Sequence, residues 1–497
     1  IDAKNISIIG DTLKAKLNNL SAQDRCGLVV KKFKADVTVS PNASICDNLL
    51  LQTSRSKLQR YYAMHYTRFP DFTDYINKVV MVGDITNSTV DSRDVACFAP
   101  ALKEYPTILK ISGKVKGTVS NIAGKQLAIT DGASVVKGNL AMKGLPDINT
   151  TYIVYENGEL VTTGQGILKY APSLKSNPNI AIEKLTHIYF KGNFIGYINN
   201  FATNSVLATN LGTVKSDIKL KMPGGKTSNS VYSGTIQTDN FALGTLLRQD
   251  DLGSVSLNAK VSGASFDPKF AQVQLNGTVD HIEYRGYNYQ NINLEGSIDK
   301  NKYNVNLLIN DPNLALAFYG SIDFSQKEIS VNATANLLKS DLAALKLTKD
   351  SLSASADFDL NCVGSSIDNF IGYAKLYNIN LLRNHHRLDI DSVYVTSKFE
   401  DGKTRINIAS NVLQGELAGN FTLSKLGNSV QYYLSGYLPA YIKKPSKEAP
   451  AQDLSFNIQT SETDSLLAVL TPNIQGFSKS SISGSLNTNS QALQLNV

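Results

Sequence analysis

Few residues in this 497-residue chain are placed to break or make bonds. There are five histidines: His65, His187, His281, His385 and His386. The adjacent pair would point to opposite faces of a strand, which is the wrong geometry for a shared metal. Asp389 and Asp391 could share one strand face at i, i+2, as a paired-carboxylate site requires. The Ser-Val-Tyr-Val that follows them reads as a strand edge, where solvated charge is expected. Gly224-Gly225-Lys226-Thr227 has the residue types of a phosphate loop, but it lacks the GxxxxGK[ST] spacing and a flanking strand–helix unit. Neither a nucleophile elbow nor an HExxH occurs. Cys26, Cys46, Cys97 and Cys362 form no CxxC pair, so neither a zinc site nor a redox motif is expected, only isolated buried thiols. The expectation is a protein with no catalytic residues, no metal and no cofactor.

What remains is the material of β-sheet. The apolar fraction is 42% and the charged fraction 18%, with abundant Tyr and Gly and no Trp. β-Branched and aromatic residues fit a pleated surface, while Gly and Asn supply positive φ. Lys and Arg total 49 against 42 for Asp and Glu, a net +7 spread thinly along the chain. There is no dense basic block interleaved with aromatics, so nucleic acid is not an expected partner. No run approaches the roughly 18 apolar residues of a membrane helix, and no signal peptide opens the chain. The sequence starts and stops inside its own pattern, so a longer protein is expected, with any anchor outside these residues.

That pattern is strict alternation. Val255-Ser-Leu-Asn-Ala-Lys-Val261, Val273-Gln-Leu-Asn-Gly-Thr-Val279, Ile329-Ser-Val-Asn-Ala-Thr-Ala-Asn-Leu337 and Leu417-Ala-Gly-Asn-Phe-Thr-Leu423 are apolar or small at every second residue. Ile111-Ser-Gly-Lys-Val-Lys-Gly-Thr-Val119 keeps the period with Gly at two inward positions. Period two means a sheet with one wet and one dry face, and so antiparallel pairing. The links are short, such as Lys300-Asn301-Lys302 and Asp401-Gly402-Lys403, and favour hairpins. Short helices are expected at 94–102, 239–247, 341–347 and 464–470, each at or next to an acidic N-cap and each restarting or plugging the sheet. The segments expected are 1–103 (ending in a short helix), 104–250, 251–350, 351–439, a loop or linker at 440–453, and a further start at 454–497. They form a continuous superstructure and not independent domains.

Several landmarks occur in order. Ile111-Ser-Gly-Lys-Val-Lys-Gly-Thr-Val119 precedes Gly144-Leu-Pro-Asp147. Tyr232-Ser-Gly-Thr-Ile236 leads into Phe241-Ala-Leu-Gly-Thr-Leu-Leu247. Ile282-Glu-Tyr-Arg-Gly-Tyr-Asn-Tyr-Gln-Asn-Ile292 leads into Asp311-Pro-Asn-Leu314 and Phe318-Tyr-Gly320. Ser340-Asp-Leu342 and Gly364-Ser-Ser-Ile-Asp-Asn369 follow. Through these residues the stretch from about 45 to 425 resembles the AsmA-like/TamB proteins of Gram-negative envelopes, in their Bacteroidetes form.

The resemblance implies an all-β fold: a long, mainly antiparallel, rolled or twisted sheet (a "taco") with a hydrophobic concave face and a few short helices. It implies a periplasmic bridge, anchored in the inner membrane by a helix outside this chain, that carries phospholipid acyl chains toward the outer membrane. It also implies an outer-membrane partner of the Omp85 class, reached through regions outside this segment. The alternative function is an assembly scaffold working with that partner in outer-membrane protein insertion. A β-rich extracellular enzyme or adhesin is the third reading. For lipid transport the inward strand positions act as a set. The candidates are Val115, Val119, Val255, Leu257, Val261, Val273, Leu275, Val305, Leu307, Ile309, Leu316, Phe318, Ile329, Val331, Leu417 and Phe421. The competing reading of each is ordinary core packing against a helix or a second sheet, and that is what the tertiary structure must decide.

Overall fold

A computed structural model describes residues 1–97, 106–267, 269–445, 450–470 and 476–497. It is all-β, with twenty-eight strands in one hydrogen-bonded sheet. Every strand pairing described is antiparallel and joins neighbours in sequence. The first strand, Asp2–Ile9, and the last, Ala492–Asn496, are each paired on one side, so the sheet is open. Short links leave antiparallel neighbours no other topology, which is why period two and the turn spacing read correctly. The chain divides into two compact units, 1–260 and 261–497. No described helix is long and apolar enough to cross a membrane.

Within the first unit the alternation is interrupted at a recurring place. Asn48, Asn87, Gln126 and Asn157 stand inside strands with φ between 46° and 52°, and each coincides with a register shift against the neighbouring strand. These are β-bulges, one extra residue in one strand. Asn visits the left-handed region at low cost because its side chain bonds locally. The freed backbone N–H groups are satisfied from the next strand. Asn87 N donates to Ser112 Oγ, Gln126 N to Asn139 Oδ1 and Asn157 N to Asn193 Oδ1, each at 3.0 Å. Each bulge increases the local right-handed twist.

The helices sit at strand ends. In the first unit Leu185, Ile188, Leu211 and Phe241 form a core with Leu243 and Leu246 of the helix Leu243–Leu247 and with Ile167 of Gly164–Tyr170. The turn before the strand Val135–Lys143 is held by Asp131. Its carboxylate accepts from Lys169 Nζ at 2.6 Å and from Tyr170 Oη at 2.8 Å. It also accepts from the backbone N–H groups of Ala133 and Ser134. Burial pushes this carboxyl up, but the Lys169 ammonium, the phenol and the two N–H donors outweigh burial and hold it well below the usual carboxylate range.

In the second unit the helix Asp464–Leu470 lays Leu466 and Val469 on Ile379, Leu388 and Ile390 near one end of their hairpin. This helix has the expected bounds. The helix expected at 239–247 is confined to Leu243–Leu247, and of 341–347 Asp341 ends the strand Ile329–Asp341 while the rest forms turns and a bend. Of the helix expected at 94–102, residues 98–102 lie outside the described residues, and Ser92–Val95 is helical. A longer helix, Leu423–Tyr437, replaces the sheet expected to run on to 439. Asp368 accepts from both Ser424 N and Ser424 Oγ, Gln452 Nε2 donates to Ser429 Oγ, and Tyr433 Oη donates to the Gln491 carbonyl. Its apolar residues recur at Leu423, Leu426, Val430, Tyr433, Leu434 and Tyr437, a three-and-four spacing that period-two reading passes over.

Candidate functional site

Cross-strand partners in a ladder share a face, so the register decides where each side chain stands. In the second unit one row crosses twelve consecutive strands. It runs Leu275, Gly296, Val305, Gly320, Ala333, Leu360, Ala374, Val395, Ile408, Gly415, Ile458, Ile482, each directly opposite the next. Shifting every position one residue toward the N-terminus of Leu275 gives the row on the other face. That row runs Gln274, Ser297, Asn304, Ser321, Asn332, Asn361, Tyr373, Thr396, Asn407, Glu416, Asn457, Ser483. The first of these rows is wholly aliphatic or glycine and the second wholly polar or phenolic.

Parallel rows widen the apolar face. Val273, Ile298, Tyr303, Ile322, Val331 and Cys362 form one; Leu294, Leu307, Phe318, Ala335, Phe358, Leu376 and Val393 another; Val279, Ile292, Ile309, Leu316, Leu337 and Ala356 a third. At about 4.8 Å between strands and about 6.8 Å between same-face residues, the face extends about 50 Å across the strands and about 20 Å along them. Phe318 lies down on this surface. A Cβ added at Gly320 would meet its ring at 2.7 Å, so glycine there makes room for the aromatic.

Among the described residues no strand of a second sheet is found in contact with these rows. In the described contacts of the second unit strands touch their sequence neighbours, and Asp464–Leu470 is the helix that packs onto strands, at His386–Glu400 and Ile371–Arg383. Of the twelve residues in the central row only Ala333 is buried; the others keep partial solvent contact. Residues sandwiched between two sheets would be closed off from solvent.

The first unit repeats the arrangement across ten strands with Met64, Met81, Gly117, Ile122, Met142, Ile153, Gly196, Phe201, Leu220 and Tyr232. Three of the chain's four methionines therefore fall in one line. Thioether side chains adapt to irregular apolar surfaces. Beside this row run Tyr62, Gly83, Val115, Gly124, Leu140, Tyr155 and Phe194. Burial pushes the Tyr62, Tyr155 and Tyr232 phenols up, at Tyr62 with help from the neighbouring Tyr75, so these groups stay neutral. The named rows of the apolar face carry no charged side chain.

The register brings ten of the candidates onto the apolar face of the second unit: Val273, Leu275, Val305, Leu307, Ile309, Leu316, Phe318, Ile329, Val331 and Leu417. Val115 stands on the corresponding face of the first. Val255, Leu257 and Val261 share one face of the strand Leu252–Ala264, and Val255 is buried, with its carbonyl accepting from Thr238 Oγ1. Val119 and Phe421 do not belong with the others. Val119 lies in the hairpin turn after Ile108–Thr118, and Phe421 follows the strand Leu413–Asn420. Alternation continued past both strand ends, and the turns took those residues.

The sequence reading missed Met64, Met81, Met142, Leu360, Val395 and Ile458. Bulges explain part of this. In the strand Asn121–Thr130 the inward residues are Ile122 and Gly124, then Leu127 and Ile129, because Gln126 shifts the parity.

His385 lies in a tight turn with φ 73°, and Asp389 is paired with Arg387 at 2.8 Å. No group of three or more potential metal ligands occurs among the described residues. The expectation of isolated buried thiols needs correction: Cys26 is exposed, and Cys97 lies against it, Sγ to the Cys26 carbonyl at 3.4 Å. No protein-family model matches the chain, and no curated protein matches it.

Proposed function

We propose that this chain is part of a periplasmic lipid carrier of the AsmA-like/TamB kind, holding phospholipid acyl chains on its apolar sheet face as they pass between the inner and outer membranes. The observation that carries the reading is the uncovered aliphatic row from Leu275 to Ile482, backed by a polar row one residue away. A water-exposed apolar surface of this extent is costly unless something apolar occupies it. Removing each acyl CH₂ from water is worth about 0.8 kcal/mol. The face is about 20 Å along the strands, enough for an acyl chain sized to one bilayer leaflet of about 15 Å. With no charged side chain in these rows, tails would slide without meeting a charge, while headgroups stay in water at the open side. No bond is made or broken, so the function needs no catalytic residue.

The test is a photo-crosslinking residue placed at Leu257 and, separately, at Leu307 in the full-length protein in cells. Phospholipid adducts are expected at both. Protein adducts without lipid would sink this reading and favour the assembly scaffold that works with an Omp85-class partner.

A further inference from the structure

Two thiols far apart in sequence meet at the surface of the first unit. Cys26 is in the turn between the strands Thr12–Gln23 and Val29–Ser40 and is exposed. The turn is preformed. Asp24 N donates to the Leu28 carbonyl, Gly27 N to the Asp24 carbonyl, and Cys26 N to Asp24 Oδ1 at 2.9 Å. Cys97 follows the helix Ser92–Val95, whose start is fixed by the Asp91 side chain accepting from Arg93 N. A separation of 71 residues is closed here, with Cys97 Sγ donating to the Cys26 carbonyl at 3.4 Å. The remaining cysteines, Cys46 and Cys362, stand on separate strands and in different units.

We propose that Cys26 and Cys97 form a reversible disulfide that fastens the turn at 24–28 to the segment following Ser92–Val95. The reaction is exchange with an external disulfide. One protein thiolate attacks a sulfur of oxidised glutathione, the glutathione S–S bond breaks, and one glutathione thiolate leaves. The second protein thiolate then attacks the mixed disulfide and releases the other glutathione. Two protein thiols are oxidised, one glutathione disulfide is reduced to two thiols, and the protein thiol protons pass to the leaving thiolates or to water. Both anchors are held by backbone hydrogen bonds, so the second step has its nucleophile in place. The clip closes a long loop, and cross-links that close long loops restrict the unfolded chain most.

The experiment treats the purified full chain with oxidised glutathione, alkylates it without reduction, and maps its peptides by mass spectrometry. The expected result is a linked pair of peptides carrying Cys26 and Cys97, with Cys46 and Cys362 alkylated. Cys26→Ser should leave Cys97 as a glutathione adduct, and Cys97→Ser the reverse, both in chains that fold. Hydrogen exchange at 24–28 should slow on oxidation and recover with reductant. Free Cys26 and Cys97, or separate glutathione adducts on both in the unaltered chain, would overturn the proposal.

Discussion

Leu307 stands directly opposite Phe318 across the ladder that joins the strands Lys302–Asp311 and Leu314–Asp323. Leu308, one residue on, is 46% exposed and faces Ala317 on the other side of the sheet. The two leucines are neighbours in sequence but meet different surroundings. A photo-crosslinker at Leu307 should capture phospholipid at least tenfold more than one at Leu308. Equal capture at the two positions would mean that the apolar face has no preference for lipid.

A charge on the face should obstruct passage without unfolding the sheet, because the rows remain open to solvent. The pair Leu257→Asp with Leu307→Arg is expected to abolish lipid transfer while leaving circular dichroism and the unfolding midpoint close to the parent. Retained transfer in a folded double variant would count against movement along this surface.

The helix Asp464–Leu470 covers one end of the face through Val469, which packs with Leu388, 2% exposed. Leu388→Ala should cost about 2–5 kcal/mol, the usual range for a large-to-small change in a tight site. Urea unfolding gives the magnitude, and hydrogen exchange should show 464–470 losing protection first. Unchanged protection there would mean that the helix is held by other contacts.

Gly117 has φ +133°, and a Cβ at this position would sit 2.1 Å from the Asn121 carbonyl oxygen. Gly117→Ala is therefore expected to destabilise by about 1–3 kcal/mol from backbone strain alone. Thermal unfolding checks this, and an alanine variant as stable as the parent would contradict the glycine requirement.

Asp131 supplies a pH test. Its folded-state carboxyl is held below the ordinary value, chiefly by Lys169 once burial is overcome. Its stabilisation is thus complete above the unfolded carboxylate value of about 4 and declines as pH falls toward the folded value. Asp131→Asn should lower stability by about 1–3 kcal/mol at pH 7, and the gap should narrow below about pH 4. A gap that widened with acidification would reverse the assignment.

By itself the sequence determined the class of structure. Val273-Gln-Leu-Asn-Gly-Thr-Val279 and its fellows alternate strictly, and the side-chain period of a strand leaves them only a two-faced sheet, with short links making it antiparallel. Hence ten of the candidate residues fall on one face. Three matters needed the tertiary structure. Register put Met64, Met81 and Met142 in one line, because pairing between strands is set by bulges and turn lengths jointly, and Asn87 or Gln126 reads in sequence like any turn residue. Contacts between segments remote in the chain brought Cys97 to Cys26 and Val469 to Leu388. Covering was the third. A period-two strand has the same pattern whether its dry side meets another sheet, a helix or nothing, and the partial solvent contact along Leu275 to Ile482 separates those cases.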